Sequence, residues 1–156
     1  MRFTNSTCAI SALVIASCAA PSAQSEIGDQ VQGHWMTEDS ALVVEITACE
    51  EGSSVLCGFI RALPGAKTDT ELARYAAELC NLPLLSNLTL DEAKSRWSGG
   101  DIFDPETEQM YAVYIQRKPD HLKVRAFEGS EWMGETLMWT AFEGPVDDCL
   151  TTGRPE

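Results

Sequence analysis

Histidine is almost missing from this chain: His34 and His121 are the only two among 156 residues. Zinc catalysis normally draws on two or three histidines, or on a histidine–carboxylate set. No H-E-x-x-H or equivalent spacing occurs here. A hydrolytic triad needs a nucleophile, a base and an orienting acid, and no G-x-S-x-G elbow is present. His34 adjoins a core tryptophan, and His121 falls at a hairpin turn, where it reads as an exposed, unpaired side chain. Positive charge is scarce too. Eleven Lys and Arg stand against 24 Asp and Glu, for a net charge of −13. Nucleic-acid binding relies on Lys and Arg to displace counterions, so such a partner is not expected. Attachment to an anionic membrane by charge alone is disfavoured for the same reason. The acidity reads as a solubility device.

Long apolar runs are missing as well. The one apolar stretch near the start, AISALVIA at residues 9–16, is too short to span a bilayer. With Arg2 ahead of it, it reads as an export leader over residues 1–25. Two processing readings stand side by side. Ile15-Ala16-Ser17-Cys18 resembles a bacterial lipobox, which would make Cys18 an acylated N-terminus and residues 19–32 a tether. Ala23-Gln24-Ser25 instead offers small residues to an ordinary signal peptidase, with Pro21 breaking the segment upstream. Either way the domain at residues 26–156 is exported, to the periplasm or as an outer-membrane lipoprotein facing it. Membrane attachment is expected only through that N-terminal lipid.

Export decides how the remaining cysteines read. Outside a reducing cytosol, Cys49, Cys57, Cys80 and Cys149 make an even set suited to disulfides. Cys49 and Cys57 flank a Gly/Ser-rich turn between two strand-like runs, so a hairpin would join them, leaving Cys80 for Cys149. The loops closed are worth about 2.6 and about 4.4 kcal/mol on the chain-entropy model. Neither pair has the C-x-x-C spacing usual in structural zinc sites.

The folded part alternates. Leu42, Val44 and Ile46 share one face of a strand, and Val55–Leu63 returns, with Gly58 at its centre. Thr68-Asp69-Thr70-Glu71 has capping-box spacing, and Leu72, Tyr75, Ala76 and Leu79 follow at helical intervals until Pro83. A second T-x-x-E, Thr89 to Glu92, suggests a single turn before Trp97. Met110–Gln116, His121–Phe127 and Thr136–Phe142 read as hairpin-connected strands. The centre of this arrangement is WSGGDIFDPETEQMY, residues 97–111: strand, acidic turn, strand. Gly99 and Gly100 mark a bulge or a close backbone approach, and Asp104-Pro105 opens the turn. Seven or eight short strands joined as hairpins predict a mainly β, up-and-down antiparallel barrel with one flanking helix.

Asp101, Asp104, Glu106 and Glu108 sit close together but lack the D-x-[DN]-x-[DN]-G order of a calcium loop, so they read as a solvated turn. No catalytic, metal or cofactor residues are assigned. Binding fits better, because an eight-stranded barrel is either filled by side chains or holds one small ligand. Trp35, Trp97, Tyr111, Tyr114, Phe127 and Trp139 are the aromatic candidates for pocket or core, with Arg61 and Arg125 as strand-borne charges. The partner expected is a small apolar or amphipathic molecule. The alternatives are a packed envelope interaction module and an enzyme using the carboxylates of residues 97–111.

The segments GHW, CEEGSSVLCGFI, LCNLPLL, RWSGGDIFDPETEQMY, LKVRAFEG and GETLMWTAF occur in this order over residues 31–142. Together they resemble a widespread bacterial family of small exported proteins of unknown function with a lipocalin-like (calycin) barrel. Its pattern is G-x-W, C…CG-x-I, C-G-L-P, W-x-GG-x-I-x-DP…Y, L-x-V-x-G-x-x-G and a final W-T-R. The chain departs from it at Asn81, Glu108 and Ala126, each in place of a glycine, and at Ala141, in place of the arginine of W-T-R. The resemblance implies an exported barrel that binds a hydrophobic or amphipathic molecule, and it carries over no catalytic residue. In lipocalins a late-strand arginine stacks across the G-x-W tryptophan. Ala141 cannot do so, and Arg125 is the substitute expected over Trp35.

Overall fold

The structure is a computed structural model and describes residues 30–64 and 70–146. The export leader with Cys18, the Thr68-Asp69 half of the capping box, and Cys149 lie outside those residues. Eight strands follow one another in chain order: β1 Gly33–Met36, β2 Val43–Ala48, β3 Leu56–Ala62, β4 Pro83–Asp91, β5 Arg96–Asp104, β6 Gln109–Arg117, β7 Leu122–Phe127 and β8 Gly134–Ala141. Each pairs antiparallel with the next, and β8 returns to β1 through Trp35↔Ala141 and Met36↔Thr140. The barrel is therefore closed, and closure leaves no free sheet edge. One helix, α1 at Thr70–Leu79, lies between β3 and β4. It is pinned to the barrel by Ala76, which joins the buried cluster.

The period-two pattern accounts for most of the interior. Val44 and Ile46 of β2, Val113 and Ile115 of β6, and Leu122 and Val124 of β7 are all fully buried in one cluster. Their strand neighbours Glu45, Tyr114, Lys123 and Arg125 have the opposite parity and face outward. Trp35, Trp97 and Trp139 enter the same cluster from β1, β5 and β8.

β4 and β5 depart from the period together. On β4, Leu85 and Leu88 both point inward, with Asn87 at φ 57° between them and a shifted register against β3. On β5, the register against β6 slips between Trp97 and Gly100, at Gly99 with φ 78°. The bulges touch: a Cβ on Gly100 would lie 2.1 Å from the Ser86 carbonyl oxygen. Only glycine lets these strands approach so closely.

The turn from β5 to β6 is closed by Asp104. Its carboxylate accepts from the Glu106 amide at 2.9 Å and from the Thr107 hydroxyl at 2.7 Å. Those bonds, the hydroxyl's foremost, hold its pKa below the usual value. Glu108 takes a left-handed φ of 56°, a conformation that glycine adopts more readily. The carboxylate of Asp104 is thus committed to the turn. Cys49 and Cys57 are joined across the β2–β3 hairpin, with Cα atoms 4.8 Å apart. Cys80 is also disulfide-bonded, and Cys149, its expected partner, lies outside the described residues.

Candidate ligand site

Three places in the barrel bear on binding. The first is the rim at β1. Trp35 is 3 % exposed and donates from Nε1 to the Val31 carbonyl at 2.9 Å. Its ring is covered by Arg117, whose guanidinium carbon lies 4.9 Å from the ring centre. Arg117 also donates to the His121 carbonyl at 3.2 Å, which ties the lid to the β6–β7 hairpin.

This corrects the expectation for Arg125. Arg125 pairs with Thr136 and Tyr114 on the outer face. Its donors go to the Glu131 carbonyl at 3.0 and 2.9 Å, the Trp132 carbonyl at 3.3 Å and the Thr136 hydroxyl at 2.9 Å. Strand parity is the reason. Arg117 follows Val113 and Ile115 at intervals of two, so it shares their inward direction at the strand's end, while Arg125 alternates with the inward Val124. The signal that finds Arg117 is in the sequence: a cation in phase with the core residues, placed where the strand reaches the rim.

The second place is the interior. Trp97 and Trp139 are buried, and neither indole N–H has an acceptor among the described residues. Trp35 differs in having one. Leaving a buried donor unpaired costs about 1–3 kcal/mol. A bound molecule with oxygen acceptors would relieve both donors. Tyr111 packs at the edge of this cluster and donates from its hydroxyl to Gln109 at 3.2 Å.

The third is a groove of about 410 Å³ on the outside of the barrel, lined by His34, Glu45, Arg61, Asn81 and Val146. Glu45 accepts from Arg61 Nε at 2.7 Å and lies 4.0 Å from His34 Nε2. Arg61 also donates to the Asn81 side chain and covers the Phe59 ring at 5.3 Å. Asn81 holds a left-handed φ of 63° just past α1, and its backbone amide donates to the Ile60 carbonyl at 2.9 Å. Asn81 thus holds a conformation that glycine adopts freely, while its side-chain amide fixes a guanidinium.

The sequence groups Arg61, Tyr114 and Arg125 with the tryptophans; the structure separates them. Trp35, Trp97 and Trp139 converge inside, whereas Arg61 lines the outer groove. Tyr114 lies outside under Arg96 at 4.1 Å and Lys123 at 5.4 Å. Arg96 in turn holds Glu131 through two bonds, at 2.9 and 2.6 Å. That pairing lowers the Glu131 pKa and raises that of Arg96.

The barrel is similar to the solved structure of protein HP1028 from Helicobacter pylori, described as belonging to the lipocalin family. The match has a TM-score of 0.52 at 15% identity, covering 72% of this chain and 83% of that one. At that identity the likeness concerns the fold. No curated protein matches the sequence. A family model does match, over residues 33–141, from the first strand of the closed barrel to the last. The chain belongs to that bacterial family, described as "Uncharacterized protein conserved in bacteria (DUF2147)".

Proposed function

We propose that this is an exported, non-catalytic binding protein of the bacterial envelope that holds a small amphipathic molecule in its barrel. The observation that carries the reading is the pair of buried indole donors, Trp97 and Trp139, which lie among apolar neighbours and have no acceptor among the described residues. A ligand that suits them has an apolar body and an oxygen acceptor, as a fatty acyl chain with a carboxyl or ester does. The commitment of Asp104 to its own turn argues against carboxylate catalysis at residues 97–111. Export rests on the leader at residues 1–25, and lipid attachment at Cys18 on the lipobox.

Native mass spectrometry of protein purified from its own envelope, followed by solvent extraction, tests the reading. A defined adduct of lipid mass supports it. A bare polypeptide mass under conditions that preserve non-covalent lipid complexes counts against it. A second reading is favoured by the completeness of the core. Side chains from all eight strands form one buried cluster, which fits a packed barrel acting as an interaction module. The bare mass is the outcome that reading requires.

A further inference from the structure

The outer groove has the end of the described chain as one of its walls. β8 leaves the barrel beside β1, where the Phe142 amide donates to the His34 carbonyl at 2.9 Å. Gly144 packs so closely on the Phe142 ring that a Cβ there would lie 2.6 Å from it. Val146, two residues on, lines the groove. Asn81 lines it too, and Cys80 is its chain neighbour. These two are fixed to the structure around them. The Cys80 amide donates to the Ala76 carbonyl and the Asn81 amide to the Ile60 carbonyl, both at 2.9 Å. The Asn81 side-chain nitrogen lies 3.4 Å from Cys80 Sγ.

The cysteines connect Val146 to this anchor. The chain has six. Cys49 and Cys57 bond each other, and Cys80 is also disulfide-bonded. Cys8 and Cys18 lie in the leader, where processing removes or acylates them, so on the export reading proposed above Cys80 has Cys149 as its partner. Bridged cysteines hold their Cα atoms about 4.4–6.8 Å apart. Only Asp147 and Asp148 stand between Val146 and Cys149, and three chain steps reach about 11 Å at most. The connection therefore has little slack.

Arg61 has a donor to meet it. Its Nε goes to Glu45 and its Nη1 to Asn81, and its Nη2 has no acceptor among the described residues. Glu45 is the carboxylate among the groove's described walls, and Arg61 already pairs with it. A guanidinium with five N–H groups can hold a second carboxylate beside the first.

We propose that residues 147–149, which lie outside the described residues, form a strap across this groove, with an aspartate carboxylate on Arg61 and Cys149 bridged to Cys80, and that reducing the bridge uncovers the groove. An exposed ion pair holds weakly by itself, so the bridge is what keeps the carboxylate in place. A dithiol reductant opens it. One thiolate attacks a sulfur of the bridge and the second resolves the mixed disulfide. Two electrons and two protons pass to Cys80 and Cys149, and the reductant becomes a disulfide. His34, Glu45 and Arg61 then stand open to solvent.

The test reads how fast Arg61 reacts with phenylglyoxal, an arginine reagent, by peptide mapping of the oxidised protein isolated from its envelope. Arg96, 9% exposed, reports whether the fold is intact. Cys149→Ser frees the strap, and Asp147→Asn with Asp148→Asn removes its charge while keeping the bridge. Arg61 should react about threefold faster in both variants, the loss of one exposed ion pair, while Arg96 stays as slow as in the parent. Should Cys149→Ser quicken Arg96 as well, the asparagine variant decides, because its bridge is intact. Unchanged Arg61 reactivity in a variant whose Arg96 stays slow overturns the proposal, as does a bridge from Cys80 to any other cysteine. The N-terminal peptide of the same digest shows whether the leader has been removed, which separates a failed strap from a failed export reading.

Discussion

Arg117 lies over the ring of Trp35, its guanidinium carbon 4.9 Å from the ring centre, and the indole N–H is bound to the Val31 carbonyl at 2.9 Å. One arginine thus joins the end of β6 to the first strand, across a rim where the final strand supplies only Ala141.

The lid has measurable consequences. Trp35→Ala should cost about 3–5 kcal/mol, because it empties a large buried site. Arg117→Ala should cost about 0.5–2 kcal/mol, the range of a cation–π contact. In urea melts the double variant should lose less than the sum, since the second change removes a contact already gone. Trp35→Ala combined with Arg125→Ala should be additive. Coupling to Arg125 instead would return the lid to β7.

The pairing of Arg96 with Glu131 predicts an acid-sensitive clamp. Arg96 holds the Glu131 pKa below its ordinary value of 4.5. A carboxyl lowered in the folded state adds stability at pH values above its unfolded pKa. That contribution fades as the pH falls through 4.5 towards the lowered value. Glu131→Gln should therefore lower the urea midpoint at pH 7, and the gap to the parent should narrow as the pH falls below 4.5. A gap of constant size across that range would show that the carboxylate's charge is not what fixes the turn.

Much of the barrel is legible in the sequence, and the part that is not has a physical cause. β6, β7 and β8 keep strict alternation, so Val113, Val124 and Trp139 fall inside as their spacing implies; on β2 Val44 and Ile46 do as well, but the register shifts at Val43, which is buried beside Val44. β4 hides. Its inward Leu85 and Leu88 are three residues apart because the strand bulges at Asn87, and Pro83 reads as a helix stop when it is the first residue of a strand. The expected turn from Thr89 is a 3-10 turn at Glu92–Lys94, and its cap is Asp91, which accepts from the Lys94 amide. At the candidate site, the three core tryptophans can be placed from sequence, but whether each indole finds an acceptor cannot. That depends on where carbonyls from other strands arrive.

Asn81 separates backbone conformation from side-chain bonding. At φ 63° a β-carbon is strained, and asparagine tolerates the region better than alanine does. Asn81→Ala and Asn81→Gly both remove the amide that holds Arg61, so the difference between them isolates the backbone. Alanine should be less stable than glycine by about 1 kcal/mol in thermal or urea melts. Equal stabilities would mean that the segment after α1 relaxes out of the left-handed region.

Peptide mapping without reduction should recover Cys49 linked to Cys57, and Cys80 in a second bridge whose proposed partner is Cys149. Cys80→Ser should then destabilise the fold more than Cys49→Ser, because the Cys80–Cys149 loop is far longer. A bridge from Cys57 to Cys80 would overturn this connectivity.

The indole N–H resonances of Trp97 and Trp139 test the binding account most directly. Protein isolated from its own envelope and labelled with ¹⁵N can be compared before and after delipidation and refolding. The account predicts that those two resonances move upfield when their acceptors are stripped away, while Trp35, bonded to Val31, keeps its position. Identical indole spectra before and after delipidation, with no lipid in the extract, would contradict it and leave the barrel a packed module.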